Sequence, residues 1–207
     1  KITTQHGYSL TGTNNHQIKV IGDNDELIWK KLEDIKDEDI IPLSLTQSIG
    51  TTNLVKLKHL PEHYHHKDRS VPEVMNEDLA ELLGLFMANG SLHTKGLRFS
   101  MFIEDVDTHK WIIEISNNLF NIDPLVEEDG KCISINIHSE PLVRWWKECG
   151  FSKTPKINGG KGHTCHTPDA VLNTNDKTIY AAFIRGLFQG DGNTVSGLPQ
   201  WSNKDAK

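Results

Sequence analysis

Two short stretches 102 residues apart hold the densest chemistry in this chain. Residues 82–90 read LLGLFMANG and residues 184–192 read IRGLFQGDG. Small residues stand four apart in each, Gly84 with Ala88 and Gly186 with Gly190. Residues at that spacing share one helix face. A small pair there lets two backbones approach closely, a steric effect best documented in membrane helices. Each stretch then closes on a polar residue and a glycine, Asn89-Gly90 and Asp191-Gly192. A carboxylate at a helix C-terminus meets the negative end of the helix dipole, which disfavours it unless a cation is present. A divalent metal supplies that cation, and metals held between acids serve phosphodiester hydrolysis. The plainer alternative makes both glycines helix stops, with Asn89 and Asp191 in the cap position.

A second candidate set lies near the N-terminus, where Thr13-Asn14-Asn15-His16 forms a TxxH element. A lone TxxH has the structural alternative of a side-chain-bonded turn with a surface histidine. A third is the loop of residues 152–169, which carries Lys153, Lys156 and Lys161. An ammonium there can stabilise charge developing on a phosphoryl oxygen. The histidines His59, His63, His65 and His66 lack cysteine partners and read as a solvated stretch rather than a metal site.

The elements that must position these groups follow from local pattern. Residues 7–21 alternate apolar and polar on both sides of a Gly-Thr-Asn-Asn turn, which predicts strand, turn, strand. Short β segments around a polar turn at 36–39 fit residues 26–43, because Ile40-Ile41 runs into Pro42. Residues 44–75 are weakly periodic. From Asn76 the texture changes to helical spacing of Leu79, Leu82, Leu83 and Phe86, ending at Gly90. A strand over 97–103 follows, then a helix over 106–120, then strands flanking Asp129-Gly130, a strong hairpin signal. Helices over 141–149 and 177–190 complete the pattern, with a strand near residues 200–202. The order α-β-β-α-β-β-α, then another α, predicts two copies of one α+β unit, the second incomplete.

Composition sets the outer limits. The chain has 207 residues, 36% hydrophobic and 24% charged, enough to bury a core and too apolar for disorder. Its three cysteines, with no CxxC spacing, indicate neither a disulfide framework nor a zinc knuckle. No apolar run reaches the roughly 20 residues of a membrane helix, and the N-terminus lacks signal-peptide features. A cytoplasmic protein is expected. The net charge of −6 argues against a nucleic-acid partner, yet residues 139–207 carry nine Lys/Arg against six Asp/Glu. That basic third surrounds Asp191, and local basic patches are what bind phosphates.

The paired stretches resemble the LAGLIDADG homing endonucleases of the two-copy monomeric type. That resemblance implies motif helices paired at a domain centre and two saddle-shaped sheets gripping a double-stranded DNA target in the major groove. The metal-binding acid of each motif falls on Asn89 and Asp191, beside Gly90 and Gly190, and the metal implied is Mg²⁺ in a two-metal site. Only the second copy keeps the acid, so double-strand cleavage, nicking and DNA binding without cleavage are alternative outcomes. Lys161 is the nearest match to the family's catalytic lysine, with Lys153 and Lys156 as alternatives and as DNA contacts. Arg98 and Ser100 share one face of a strand and are the base-reading candidates.

The segment TGTNNHQIKV with the Trp-led stretch and KDED turn after it resembles the Hint splicing domain of inteins. By that resemblance His16 acts as general acid toward a scissile amide nitrogen and Thr13 orients the peptide. A Hint element upstream of two LAGLIDADG copies is similar to an intein with a nested endonuclease. The implied layout is a partial all-β Hint domain at 1–60, a linker at 61–71 and a LAGLIDADG endonuclease domain at 72–207 with its second repeat truncated. The implied partners are the intein-free host allele as DNA, the flanking host protein, and intein ends that lie outside these residues. A chain without those ends is not expected to splice alone. A free-standing DNA-binding protein or a decayed nuclease are the competing expectations.

Overall fold

Two compact units divide the chain, residues 1–47 and 48–207. They are seen in a computed structural model that describes residues 1–43, 50–61, 69–155, 163–195 and 198–201. In the first unit, β1 (Ile2–Thr3) pairs with β2 (Ser9–Leu10), and β3 (Gln17–Ile21) pairs with β4 (Leu27–Lys31). The predicted hairpin across residues 12–16 does not form. The Thr13–His16 turn exists, with the His16 amide donating to the Thr13 carbonyl at 3.0 Å. However, β3 finds a longer partner after the tight turn at residues 22–26, where Asp25 takes φ 61°. That pairing gives five facing residue pairs, Gln17 with Lys31 through Ile21 with Leu27, so the ladder outcompetes the nearer strand. A polar turn at 36–39 follows, its Asp39 carboxylate held by Lys30 Nζ at 2.8 Å and by the Lys36 amide at 2.7 Å. Those cationic and amide donors keep the Asp39 carboxyl below the usual carboxylate range.

The second compact unit begins at residue 48, ahead of the boundary expected near residue 60, while residues 62–68 of the expected linker lie outside the described residues. Leu57 N donates to Glu73 O at 2.8 Å, Met75 N to Val55 O at 2.9 Å and Trp145 Nε1 to Lys58 O at 2.6 Å. A carbon added at Gly50 would land on the Asn173 carbonyl. Residues 50–61 are thus an extended segment stitched to distant loops, and extended backbone paired by its amides leaves no periodicity to read. Ser70 Oγ, donating to Leu119 O at 3.1 Å, and Arg69 Nη1, donating to Asn121 O at 2.9 Å, likewise satisfy carbonyls at a helix end.

Then come α1 (Glu77–Asn89), β5 (Gly90–His93), β6 (Gly96–Phe102), α2 (Val106–Phe120), β7 (Leu125–Asp129), β8 (Cys132–His138) and α3 (Glu140–Glu148). Asn76 caps α1 by accepting from Leu79 N at 2.9 Å, and Ser139 caps α3 by accepting from Leu142 N at 3.3 Å. Gly130, at φ 63°, turns β7 into β8. The four strands form one antiparallel sheet in the order β5-β6-β8-β7. Leu97, Phe99, Met101, Ile133, Ile135 and Ile137 alternate onto its inner face. Phe86, Phe120, Trp145, Trp146 and Phe151 fill the space beneath the helices in edge-to-face contacts. Each such side chain contributes about 1.5–3 kcal/mol by burial.

After β9 (Thr154–Pro155), β10 (His163–Thr164) and the single turn α4 (Asp169–Leu172), the chain enters α5 (Lys177–Asp191) and a hairpin of β11 (Gly192–Val195) with β12 (Leu198–Trp201). The second copy therefore repeats helix, strand, strand. Among the described residues no helix is long and apolar enough to cross a membrane.

Candidate active site

The helices α1 and α5 carry the two repeated stretches, and they pack directly against each other. Backbone meets backbone along the face of small residues. A carbon added at Gly84 would land on the Phe183 carbonyl and 2.7 Å from Leu187 N. One added at Gly186 would land on the Glu81 carbonyl and 2.8 Å from Leu85 N. At Gly190 it would strike the Ala88 methyl and lie 3.3 Å from the Asn89 side-chain amide. The spacing of small residues thus serves a helix pair, as its steric logic requires. Arg185 spans the pair from outside, donating to Glu81 at 2.6 Å.

The two helix ends are alike in detail. Gly90 N donates to Phe86 O and Gly192 N to Phe188 O, with φ −85° and −84° at the two glycines. Neither glycine adopts the left-handed conformation of a helix-stop glycine. Each is glycine because a side chain would run into the preceding phenylalanine, Phe86 or Phe188, as the chain turns straight into a strand. Asn89 and Asp191 occupy the last position of their helices, and the two ends lie side by side, since a carbon added at Gly190 would come within 3.3 Å of the Asn89 side-chain amide.

Lys153 completes the cluster. Its Nζ donates to Ala88 O at 3.3 Å, in the last turn of α1, and lies 5.7 Å from the centre of the Phe86 ring. Burial pushes its ammonium below the ordinary lysine value, while Cys165 and Asp191 act in the opposite direction. Cys165 Sγ donates to Met87 O at 2.8 Å. Two donors therefore sit at the negative end of the α1 dipole, where they are favoured. A cavity of about 270 Å³ opens beside the cluster, lined by Phe86, Gly90, Ser91, Leu92, Ser152 and Lys153. Ser152 Oγ is buried there with no hydrogen-bond partner among the described residues. Around this helix junction the partly desolvated ammonium and the amide can meet a phosphate group and stabilise charge on it, whereas the carboxylate can do so only through a bound cation.

Of the three candidate lysines, Lys153 is the one placed here. Lys156 and Lys161 lie outside the described residues, as do His63, His65 and His66. Thr13 and His16 are exposed in the first unit, where Thr13 Oγ1 donates to Asn15 Oδ1 at 2.8 Å. Among the described residues no group of three or more His, Cys, Asp or Glu converges.

Arg98 and Ser100 stand on the open face of the sheet, with Phe99 and Met101 on the buried face. Arg98 Nε donates to Asn136 Oδ1 at 2.7 Å, and Asn136 Nδ2 donates to Glu127 Oε2 at 2.9 Å. Sequence reasoning passed over Asn136 and Glu127 and took Cys165 for a loop residue without partners. The first two were within its reach, since Asn136 stands on the polar face of an alternating strand, opposite Ile133, Ile135 and Ile137.

No family model matches this chain. It is similar to part of an A-type ATP synthase subunit from Pyrococcus abyssi, 26% identical over 195 residues that make up 93% of this chain and 18% of that protein. The corresponding ATP synthase protein of Pyrococcus horikoshii is 33% identical over 122 residues, 58% of this chain and 12% of that protein. The replication factor C small subunit of Methanocaldococcus jannaschii is 23% identical over 194 residues, 93% of this chain and 9% of that protein. The chain thus spans less than a fifth of the length of the curated relatives it matches.

Proposed function

We propose that this chain is a segment of an intein whose second unit is a LAGLIDADG-type DNA endonuclease. The observation that carries this is the α1–α5 pair, whose glycine-lined contact brings Asn89, Asp191 and Lys153 to one junction. The relatives add support of a different kind. Nearly the whole chain aligns with small fractions of proteins named for two different machines, an ATP synthase and a replication factor. A segment shared by otherwise differently named proteins is what an inserted element that excises itself from its host would produce.

The donor set at the junction fits Mg²⁺. It offers the Asp191 carboxylate, the Asn89 carboxamide oxygen and backbone carbonyls, and Mg²⁺ binds through one or two carboxylates while keeping several waters. When bound, such an ion acts as a Lewis acid and lowers the pKa of its water. The protein's own contribution is positional. Asp191 places negative charge at a helix end, where a cation is favoured. Lys153, half-buried and partly desolvated, presents an ammonium to a phosphoryl oxygen. Asn89 supplies an oxygen without charge, so the α1 side of the junction is the weaker one. In the first unit, Thr13 and His16 are the residues proposed to act on an upstream splice junction, by orienting a peptide and protonating its leaving amine.

A second reading is favoured by Asn89 alone: a DNA-binding intein element whose nuclease has decayed. One experiment separates the two. The chain and its Asn89→Asp variant are incubated with Mg²⁺ and a supercoiled plasmid carrying the uninterrupted host sequence. Nicking by the parent, with linear product from the variant, supports an endonuclease with one weakened half-site. Binding without cleavage by both supports decay. If neither protein binds that DNA, the endonuclease reading is wrong.

A further inference from the structure

Three neighbouring strands of the open sheet face carry a hydrogen-bonded chain of three side chains that the cleavage chemistry does not use. Arg98 on β6 and Asn136 on β8 are direct cross-strand partners, and Glu127 on β7 sits diagonally from Asn136. Asn136 is 3% exposed and spends its amide in both directions, accepting from Arg98 and donating to Glu127. A flipped amide would set its NH₂ against the guanidinium and its oxygen against the carboxylate. Asn136 is therefore locked, and it locks both neighbours. Arg98 has committed its Nε and keeps two terminal amines, the fork that matches two acceptors at once. Glu127 has committed one oxygen to Asn136, and a carboxylate has about four lone-pair positions in all.

Resting on the reading of the second unit as a DNA-binding domain, we infer that Arg98, Asn136 and Glu127 form a preorganised reader of guanine and cytosine in the major groove. Arg98 donates to guanine O6 and N7, and Glu127 accepts from the cytosine N4 amino group. The trio is electrically neutral as a whole, so it would release few counterions and makes a poor phosphate clamp. A carboxylate beside the guanidinium also repels backbone phosphates, whereas it matches the one base edge that offers only a donor. The same arrangement rejects A·T pairs. Adenine N6 would place a donor against the Arg98 fork, and thymine O4 an acceptor against Glu127. Ser100 and Ser134, 3.5 Å apart on the same face, are small enough to let a base edge approach.

The test is site selection by the full 207-residue chain from a randomised duplex library, read by sequencing, alongside Arg98→Lys and Glu127→Gln. Arg98→Lys keeps the cation and loses the fork; thermal melting establishes that each variant is folded. The parent should select sites with a fixed G·C position. Arg98→Lys should lose about ten- to a hundredfold of the guanine preference at that position alone. Glu127→Gln should relax discrimination against A·T at that position or the adjacent one. If both variants leave the selected sequence unchanged, or weaken binding evenly across all sequences, the reader is overturned while DNA binding stands. If no duplex is enriched by the parent, DNA binding and the reader fall together.

Discussion

Gly84→Ala and Gly186→Ala set two effects of opposite sign against each other at one interface. Alanine is the better helix former by about 1 kcal/mol, so intrinsic propensity alone makes each change stabilising. Packing opposes it. The added methyl at Gly84 meets the Phe183 carbonyl and lies 2.7 Å from Leu187 N, and at Gly186 it meets the Glu81 carbonyl and lies 2.8 Å from Leu85 N. These are backbone atoms of a facing helix, which cannot rotate aside as a side chain would. The helices must separate, and overpacking of this kind costs about 1–3 kcal/mol. Taking the upper end, because the obstacle is rigid, the net destabilisation is about 2 kcal/mol for each single change. One separation of the helices accommodates both methyls, so the double variant should cost well under the sum of the two. Urea unfolding of the parent, both singles and the double measures this directly. A single variant more stable than the parent by the propensity amount would show that α1 and α5 do not touch through these glycines. Strict additivity in the double would show that the two sites do not share one interface.

Two further outcomes follow from individual contacts. Asn76→Ala removes the side chain that accepts from Leu79 N at 2.9 Å and should cost about 1 kcal/mol in urea unfolding, with Asn76→Asp largely retaining the cap. Burial holds Lys153 below the ordinary lysine value of 10.5, so between its folded value and 10.5 the unfolded chain binds more protons and stability rises with pH; measured from neutral pH upward, the parent should gain stability relative to Lys153→Met, and a relative loss would contradict the burial.

What the sequence could reveal tracks how local each cause is. The spans of α1 and α2 were legible because their apolar residues recur on one face and Asn76 sits at a cap position. The β7–β8 hairpin was legible because only a residue tolerant of φ 63° fits at Gly130. The helix pair was legible because two copies of small-residue spacing have one common steric explanation. Lys153 was an alternative to Lys161, the lysine that the sequence favoured, and what places it at the junction is a contact with Ala88, 65 positions away. Cys165 reaches Met87 across 78 positions. No local pattern encodes such pairings. The β3–β4 hairpin was missed because a turn signal at residues 12–16 says where the chain bends, while ladder length decides which strands pair.

The two copies of the motif helix also differ in what holds them, and that difference bears on the site. Leu79, Leu82 and Phe86 of α1 are sealed beneath the four-stranded sheet, at 0%, 0% and 1% exposure. Their counterparts 102 positions on are Ala181, which is exposed, Ile184, which is 61% exposed, and Phe188, which is half-buried. Helix α1 is thus gripped on two faces, by its sheet and by α5. Helix α5 buries Ile179, Ala182, Phe183, Gly186 and Leu187 and leaves its opposite face to solvent. Most of what fixes α5 is therefore the glycine-lined contact with α1. Asp191, the one acid at the junction, sits at the end of α5, so its position is set by packing along a face several residues away. The small residues and the carboxylate are in that sense one device: the first determines whether the second meets Lys153 and Asn89 at all.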